Sequence, residues 1–223
     1  MKSSRIFVDE VCGLKFKDAF NPYTDLCDVY DYKDAPMIRR SILKKILTSA
    51  TTSDVDSLWV GRDLGYRGGR RTGLALTDDM TFDAHLMRFG VESKRPAKGN
   101  HVSERTASII WSVLSEIEVP IFLWNVFPLH PHDPGNPFSN RSHNAAERKE
   151  GQRILRLLID ILKPKRLVAI GNDAEKALLN LDLEVELIKA RHPSYGGQED
   201  FLNKIRDVYG VQVVANPNLD LFE

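Results

Sequence analysis

The chain has 223 residues, 42% of them hydrophobic and 28% charged, which suits a single domain that stays folded without a disulfide or metal. Lys plus Arg equals Asp plus Glu, 31 against 31, so no global positive field announces nucleic acid and any anion site has to be local. Two cysteines, Cys12 and Cys27, exclude a cysteine-only zinc or iron–sulfur site and a disulfide scaffold. As free thiols they fit a reducing compartment. No apolar run approaches the ~18 residues of a membrane helix, and the opening MKSSRIFVDE has no signal-peptide apolar core, so a cytoplasmic location is expected.

Residues 1–35 show little periodicity and read as an N-terminal extension packed on the domain, with Asn21, Pro22 and the acidic stretch Asp25 to Asp34 as an arm or loop. Residues 36–223 read as one α/β domain. Pro36 opens a helix with Ile38, Ile42, Leu43, Ile46 and Leu47 at helical spacing. Ser57 to Gly61 is a short buried strand. A loop from Gly61 to about Asp79 follows, with five glycines and four arginines. A helix over 103–118 precedes a second strand at 120–126. A long His-, Pro- and Asn-rich loop leads to a helix over 144–162, entered through Asn140-Arg-Ser-His-Asn144 as its cap.

Arg166 to Ile170 is a third strand, Asn172 caps a short helix, 185–188 is a fourth strand and 200–209 a last helix. Strands alternating with helices predict a three-layer α/β/α fold around a central, mostly parallel four-stranded sheet. In such sheets ligands bind beyond the carboxyl ends of the strands. Asp63, Asn125 and His192 each lie at or just past such an end. Taken singly, Asp63 also suits a turn or helix cap, Asn125 a loop backbone partner and His192 an ordinary loop residue.

Five segments together resemble the uracil-DNA glycosylase superfamily, in a branch without an iron–sulfur cluster. Gly61-Arg-Asp-Leu-Gly-Tyr66 resembles its GQDPYH segment, and Gly73-Leu-Ala-Leu-Thr77 its GLAFS. Leu123-Trp-Asn-Val126 resembles the strand ending in the base-reading Asn. Val168-Ala-Ile-Gly-Asn172 with Ala174 resembles its WGxxA segment, and His192-Pro-Ser194 its HPS. The likeness runs in order over about residues 57–205.

That resemblance implies a DNA glycosylase without cofactor. Asp63 would face the sugar and hold the attacking water, His192 would hydrogen-bond the carbonyl on which negative charge grows, and Asn125 would bond the base edge. Gly61, Arg62, Leu64, Gly65, Tyr66 and Leu76 would join Asn125 in the base pocket. Arg67, Arg70, Arg71, Arg191, Ser194, Tyr195, Gly196 and Gly197 would contact DNA, the expected partner; a solvated loop is the alternative for the arginines. No obligate protein partner and no metal are inferred, and Leu129-His-Pro-His-Asp133 reads as a loop near DNA rather than a metal site. No lysine stands out as a Schiff-base nucleophile, so simple hydrolysis is expected.

Departures from the family pattern bear on the substrate. The family's Tyr, which stands against carbon 5 of the base, is Gly65 here; its absence leaves a void that Tyr66 could fill by swinging back. The stacking Phe is Leu76, and Tyr195-Gly-Gly197 stands where a wedge leucine is expected. Three readings follow: a glycosylase for uracil or a related C5-modified pyrimidine, a defence enzyme for bulky hypermodified cytosines of phage DNA, and an inactive DNA-binding protein with the same fold.

Overall fold

The computed structural model describes residues 2–194 and 196–211. Its centre is a four-stranded parallel sheet. The strands are β2 (Ser57–Gly61), β3 (Ile121–Asn125), β5 (Arg166–Ile170) and β6 (Glu186–Ala190), in the order β3-β2-β5-β6. β2, β3 and β5 are almost continuously apolar because both of their faces are covered.

Strand alternation sorts these residues into two layers of core. Leu58, Val60, Phe122, Trp124, Leu167 and Ala169 face α1 (Lys2–Gly13), α2 (Ala35–Ala50), α6 (Ala145–Leu162) and α7 (Asn172–Leu179). Trp59, Ile121, Leu123, Val168, Ile170 and Ile188 face α5 (Arg105–Leu114) and α8 (Gln198–Tyr209). The fold is therefore three-layered α/β/α, as expected. Trp59, Trp111 and Trp124 are all buried. Short elements complete the chain: β1 (Ala19–Phe20) pairs antiparallel with β4 (His130–Pro131), and α3 (Gly69–Thr72) and α4 (Phe82–Met87) break the long loop after β2. No helix among the described residues is long and apolar enough to cross a membrane.

The first 35 residues depart from the loop-like reading. α1 packs against α2 and α6 and sends Phe7 and Val11, both fully buried, into the core. The Phe7 ring meets Trp124 edge-on at 5.2 Å. The acidic stretch folds around buried Asp31, which forms an ion pair with equally buried Arg39. Arg39 Nε also donates to the Arg71 carbonyl at 2.8 Å. The stretch is thus tied to the glycine- and arginine-rich loop rather than extended.

Candidate active site

β2 and β3 are in register with Gly61 opposite Asn125. The backbones continue together past the strand ends, with Val126 N–H donating to the Gly61 carbonyl at 2.9 Å and Phe127 N–H to the Arg62 carbonyl at 3.0 Å. Gly61 is required here by close approach. A Cβ at this position would stand 2.5 Å from Asn125 Oδ1 and 2.9 Å from Leu76 Cδ2. The Asn125 amide is buried, and neither its oxygen nor its nitrogen has a hydrogen-bond partner among the described residues. An unpaired buried amide costs about 1–3 kcal/mol, so a group that keeps it is a candidate for ligand contact. Leu76 covers the same spot from a backbone at φ 55, a conformation bulky residues rarely adopt. Its carbonyl accepts from Trp111 Nε1 at 3.0 Å, which helps hold it there.

Above this floor a cavity of about 640 Å³ opens, lined among others by Arg62, Asp63, Leu64, Gly65, Leu76, Glu104, His192 and Ser194. Asp63 follows β2 by two residues and is almost withdrawn from solvent. His143 Nδ1–H donates to its Oδ1 at 2.5 Å and Arg62 Nε to its Oδ2 at 2.8 Å. Each carboxylate oxygen keeps further lone-pair capacity for a water.

His143 is itself held from both sides. Asn144 caps α6 in a reciprocal capping box with Glu147, and Glu147 takes a two-pronged bond from Arg141 at 2.7 Å per contact. The Arg141–Glu147 fork thus fixes the turn that presents His143, whose ring lies against Phe127.

His192 follows β6 by two residues. Its Cβ would lie 3.2 Å from a Cβ at Gly171, at the end of the neighbouring strand β5. Ser194 N–H donates to His192 Nδ1 at 3.3 Å, which leaves the ring proton on Nε2 in the neutral form. Burial, with Arg62 adding to it, lowers the His192 pKa from 6.5, so the imidazole is neutral at pH 7. A neutral imidazole with a free Nε2–H is a hydrogen-bond donor suited to a developing oxyanion.

A family profile for the uracil DNA glycosylase superfamily matches residues 51–208. The chain belongs to the uracil-DNA glycosylase superfamily. Membership supports DNA glycosylase activity in general, and the match spans all four strands of the sheet. The crystal structure of wild-type Pedobacter heparinus SMUG2 superimposes with a TM-score of 0.61 at 13% identity, covering 93% of this chain and 97% of that one. At that identity the likeness shows the fold. No curated protein sequence matches the chain.

Within this glycosylase fold, Asp63 and His192 line one pocket; Asn125 is not among its lining residues but meets the same spot at Gly61 as Leu76, which is. Arg62, Leu64, Gly65, Leu76 and Ser194 line it as well. Ser194 also shares a hydrogen bond with Thr106 at 3.0 Å, tying its loop to the start of α5. Tyr66 is not among the residues that line the cavity. Its N–H is bonded to Asn140 Oδ1 at 3.0 Å, and the neighbour of Gly65 is Glu104. Arg67 and Arg191 are exposed, Arg191 in an ion pair with Asp200. Gly196 is exposed at φ 76, Gly197 is buried against the His192 carbonyl, and Tyr195 lies outside the described residues.

Arg70 and Arg71 are corrected from DNA contacts to structural groups, because both are buried. Arg70 stacks 3.8 Å over Phe20 and donates to Tyr30 Oη and His130 Nδ1. Arg71 pairs with Asp79 at 2.7 Å and covers the Tyr30 ring. His130 is thereby occupied, its Nε2–H bonded to the Ser139 carbonyl at 2.8 Å. The segment around it carries the short strand β4 and is not a simple loop. Among the described residues no cluster of three or more metal-ligating side chains forms.

His143 and Glu104 escaped the sequence reading. Only the capping box beside His143 was legible, and nothing local marks either residue as part of a pocket.

Proposed function

We propose that this chain is a DNA glycosylase that hydrolyses the N-glycosidic bond of a flipped-out pyrimidine and leaves an abasic site. The reading is carried by Asp63 and His192, which line one pocket together with Leu76, and by the buried Asn125 amide, which meets the same spot at Gly61 as Leu76 and has no hydrogen-bond partner among the described residues. The C1′–N1 bond breaks with its electron pair leaving on the base. His192 Nε2–H donates to the base carbonyl that gains the charge, and Asn125 meets the base edge. Asp63 steadies the cation-like sugar and accepts a proton from the water whose oxygen bonds to C1′, with His143 and Arg62 holding its two oxygens. The base has to leave the stack first to reach this site. Lys176, exposed where it lines the cavity, and the exposed Arg67 would meet phosphates.

The test is a base-release panel. Single- and double-stranded oligonucleotides carry uracil, thymine, 5-hydroxymethyluracil, 5-hydroxymethylcytosine or its glucosylated form, and abasic sites are scored by alkali cleavage. Release of at least one is expected, and release of the glucosylated base marks a defence enzyme. Release of none, with DNA still bound, supports the inactive binding protein instead.

A further inference from the structure

The wall of the pocket at Gly65 is a carboxyl group. Glu104, the residue before α5, is anchored by its backbone N–H, which donates to Asp78 Oδ2 at 2.7 Å. Its side chain lies back over the loop after β2. A Cβ at Gly65 would come 2.8 Å from Glu104 Oε1, and one at Gly68 only 1.9 Å from Oε2. Two glycines therefore clear the space that this one carboxyl occupies. Neither oxygen takes a hydrogen bond or ion pair from the described residues, yet Glu104 lines the same cavity as Asp63 and His192.

A carboxyl on a pocket wall without a protein partner is left to pair with the ligand. Burial, reinforced by Asp78 and opposed by Arg67, pushes it up to about 7. Near neutral pH it can accept a hydrogen bond as the anion and donate one as the acid.

We propose that Glu104 is a specificity-determining residue that recognises a hydrogen-bond donor on the carbon-4/carbon-5 edge of the base, foremost a hydroxyl carried on carbon 5. The proposal rests on the glycosylase reading, which sets the base against Gly65. Uracil and thymine present no donor on that edge. A 5-hydroxymethyl group presents an O–H, and cytosine presents its 4-amino group, so the two sources of the same donor chemistry can be told apart.

The experiment measures single-turnover release from oligonucleotides carrying 5-hydroxymethyluracil, thymine, uracil or cytosine, by the wild type, Glu104→Gln and Glu104→Leu. The same base preferences are read as Kd in an Asp63→Asn background. The wild type should favour 5-hydroxymethyluracil over thymine. Glu104→Leu should shrink that ratio at least about ten-fold, with Glu104→Gln between, because its amide keeps one acceptor. If the leucine variant does not fold, a shift of about three-fold or more in Glu104→Gln decides.

Ratios untouched by the variants overturn the proposal while leaving the glycosylase reading standing. A Glu104-dependent preference for cytosine over uracil, without one for 5-hydroxymethyluracil over thymine, overturns the hydroxyl assignment in favour of the amine. Binding ratios that depend on Glu104 without any base release uphold the proposal and refute the catalysis.

Discussion

His143 Nδ1–H donates to Asp63 Oδ1 across 2.5 Å, joining two residues 80 positions apart in the chain. The pair supplies what a water-holding carboxylate needs: a fixed orientation and a partner for one oxygen, while Arg62 takes the other. His143→Ala should therefore lower single-turnover base release by about ten- to a hundred-fold at an unchanged fold. The double variant with Asp63→Ala should be no slower than Asp63→Ala alone, since the two act as one unit. Multiplying losses in the double variant would separate them.

The Asn125 amide is a cost to stability in the free protein. It is buried without a partner among the described residues, so Asn125→Leu should leave the urea midpoint unchanged or higher while base release falls by orders of magnitude. A lower midpoint with release retained would show the amide to be structural.

Gly61 protects that amide. Gly61→Ala would push a methyl group to 2.5 Å from Asn125 Oδ1, so release should fall about ten-fold or more. A wild-type rate would mean the amide can shift without consequence.

Arg71 is part of the scaffold. Its guanidinium and Asp79 are both buried, so Arg71→Ala leaves a buried carboxylate short of one partner, with Arg95 as the other. Breaking such a pair costs about 3–5 kcal/mol, to be read from urea unfolding. An unchanged stability with a flatter salt dependence of DNA binding would return Arg71 to the DNA face.

The His192 imidazole has its pKa lowered in the fold, by burial first and then by Arg62. A histidine held neutral contributes stability that is fully present above the unfolded value of 6.5 and is lost as pH falls below it. Melting curves of the wild type should therefore fall more steeply than those of His192→Asn between pH 7 and pH 5. Base release should show no loss from this group between pH 8 and pH 6.5. Parallel melting curves would contradict the neutral assignment.

The sheet was legible because β2, β3 and β5 are nearly unbroken apolar runs, and α6 because Asn144 and Glu147 spell its cap. Asp63, Asn125 and His192 stood out because strand ends are where a parallel sheet presents its ligands. α1 was missed because a few apolar residues within a charged, short segment carry its buried stripe. The arginines misled for a related reason. Arg70 and Arg71 look like a charged surface until the fold brings Phe20, Tyr30, Asp79 and His130 around them. Glu104 and His143 reach the pocket through tertiary packing, which no local spacing encodes.

The most direct test of the account is single-turnover formation of abasic sites by the wild type and by Asp63→Ala, Asn125→Ala and His192→Ala, on the best substrate of the panel. Circular dichroism would establish that each variant is folded. Losses of about 10²–10³ or more are expected in each. Wild-type rates in folded variants of all three would place the chemistry elsewhere in the molecule.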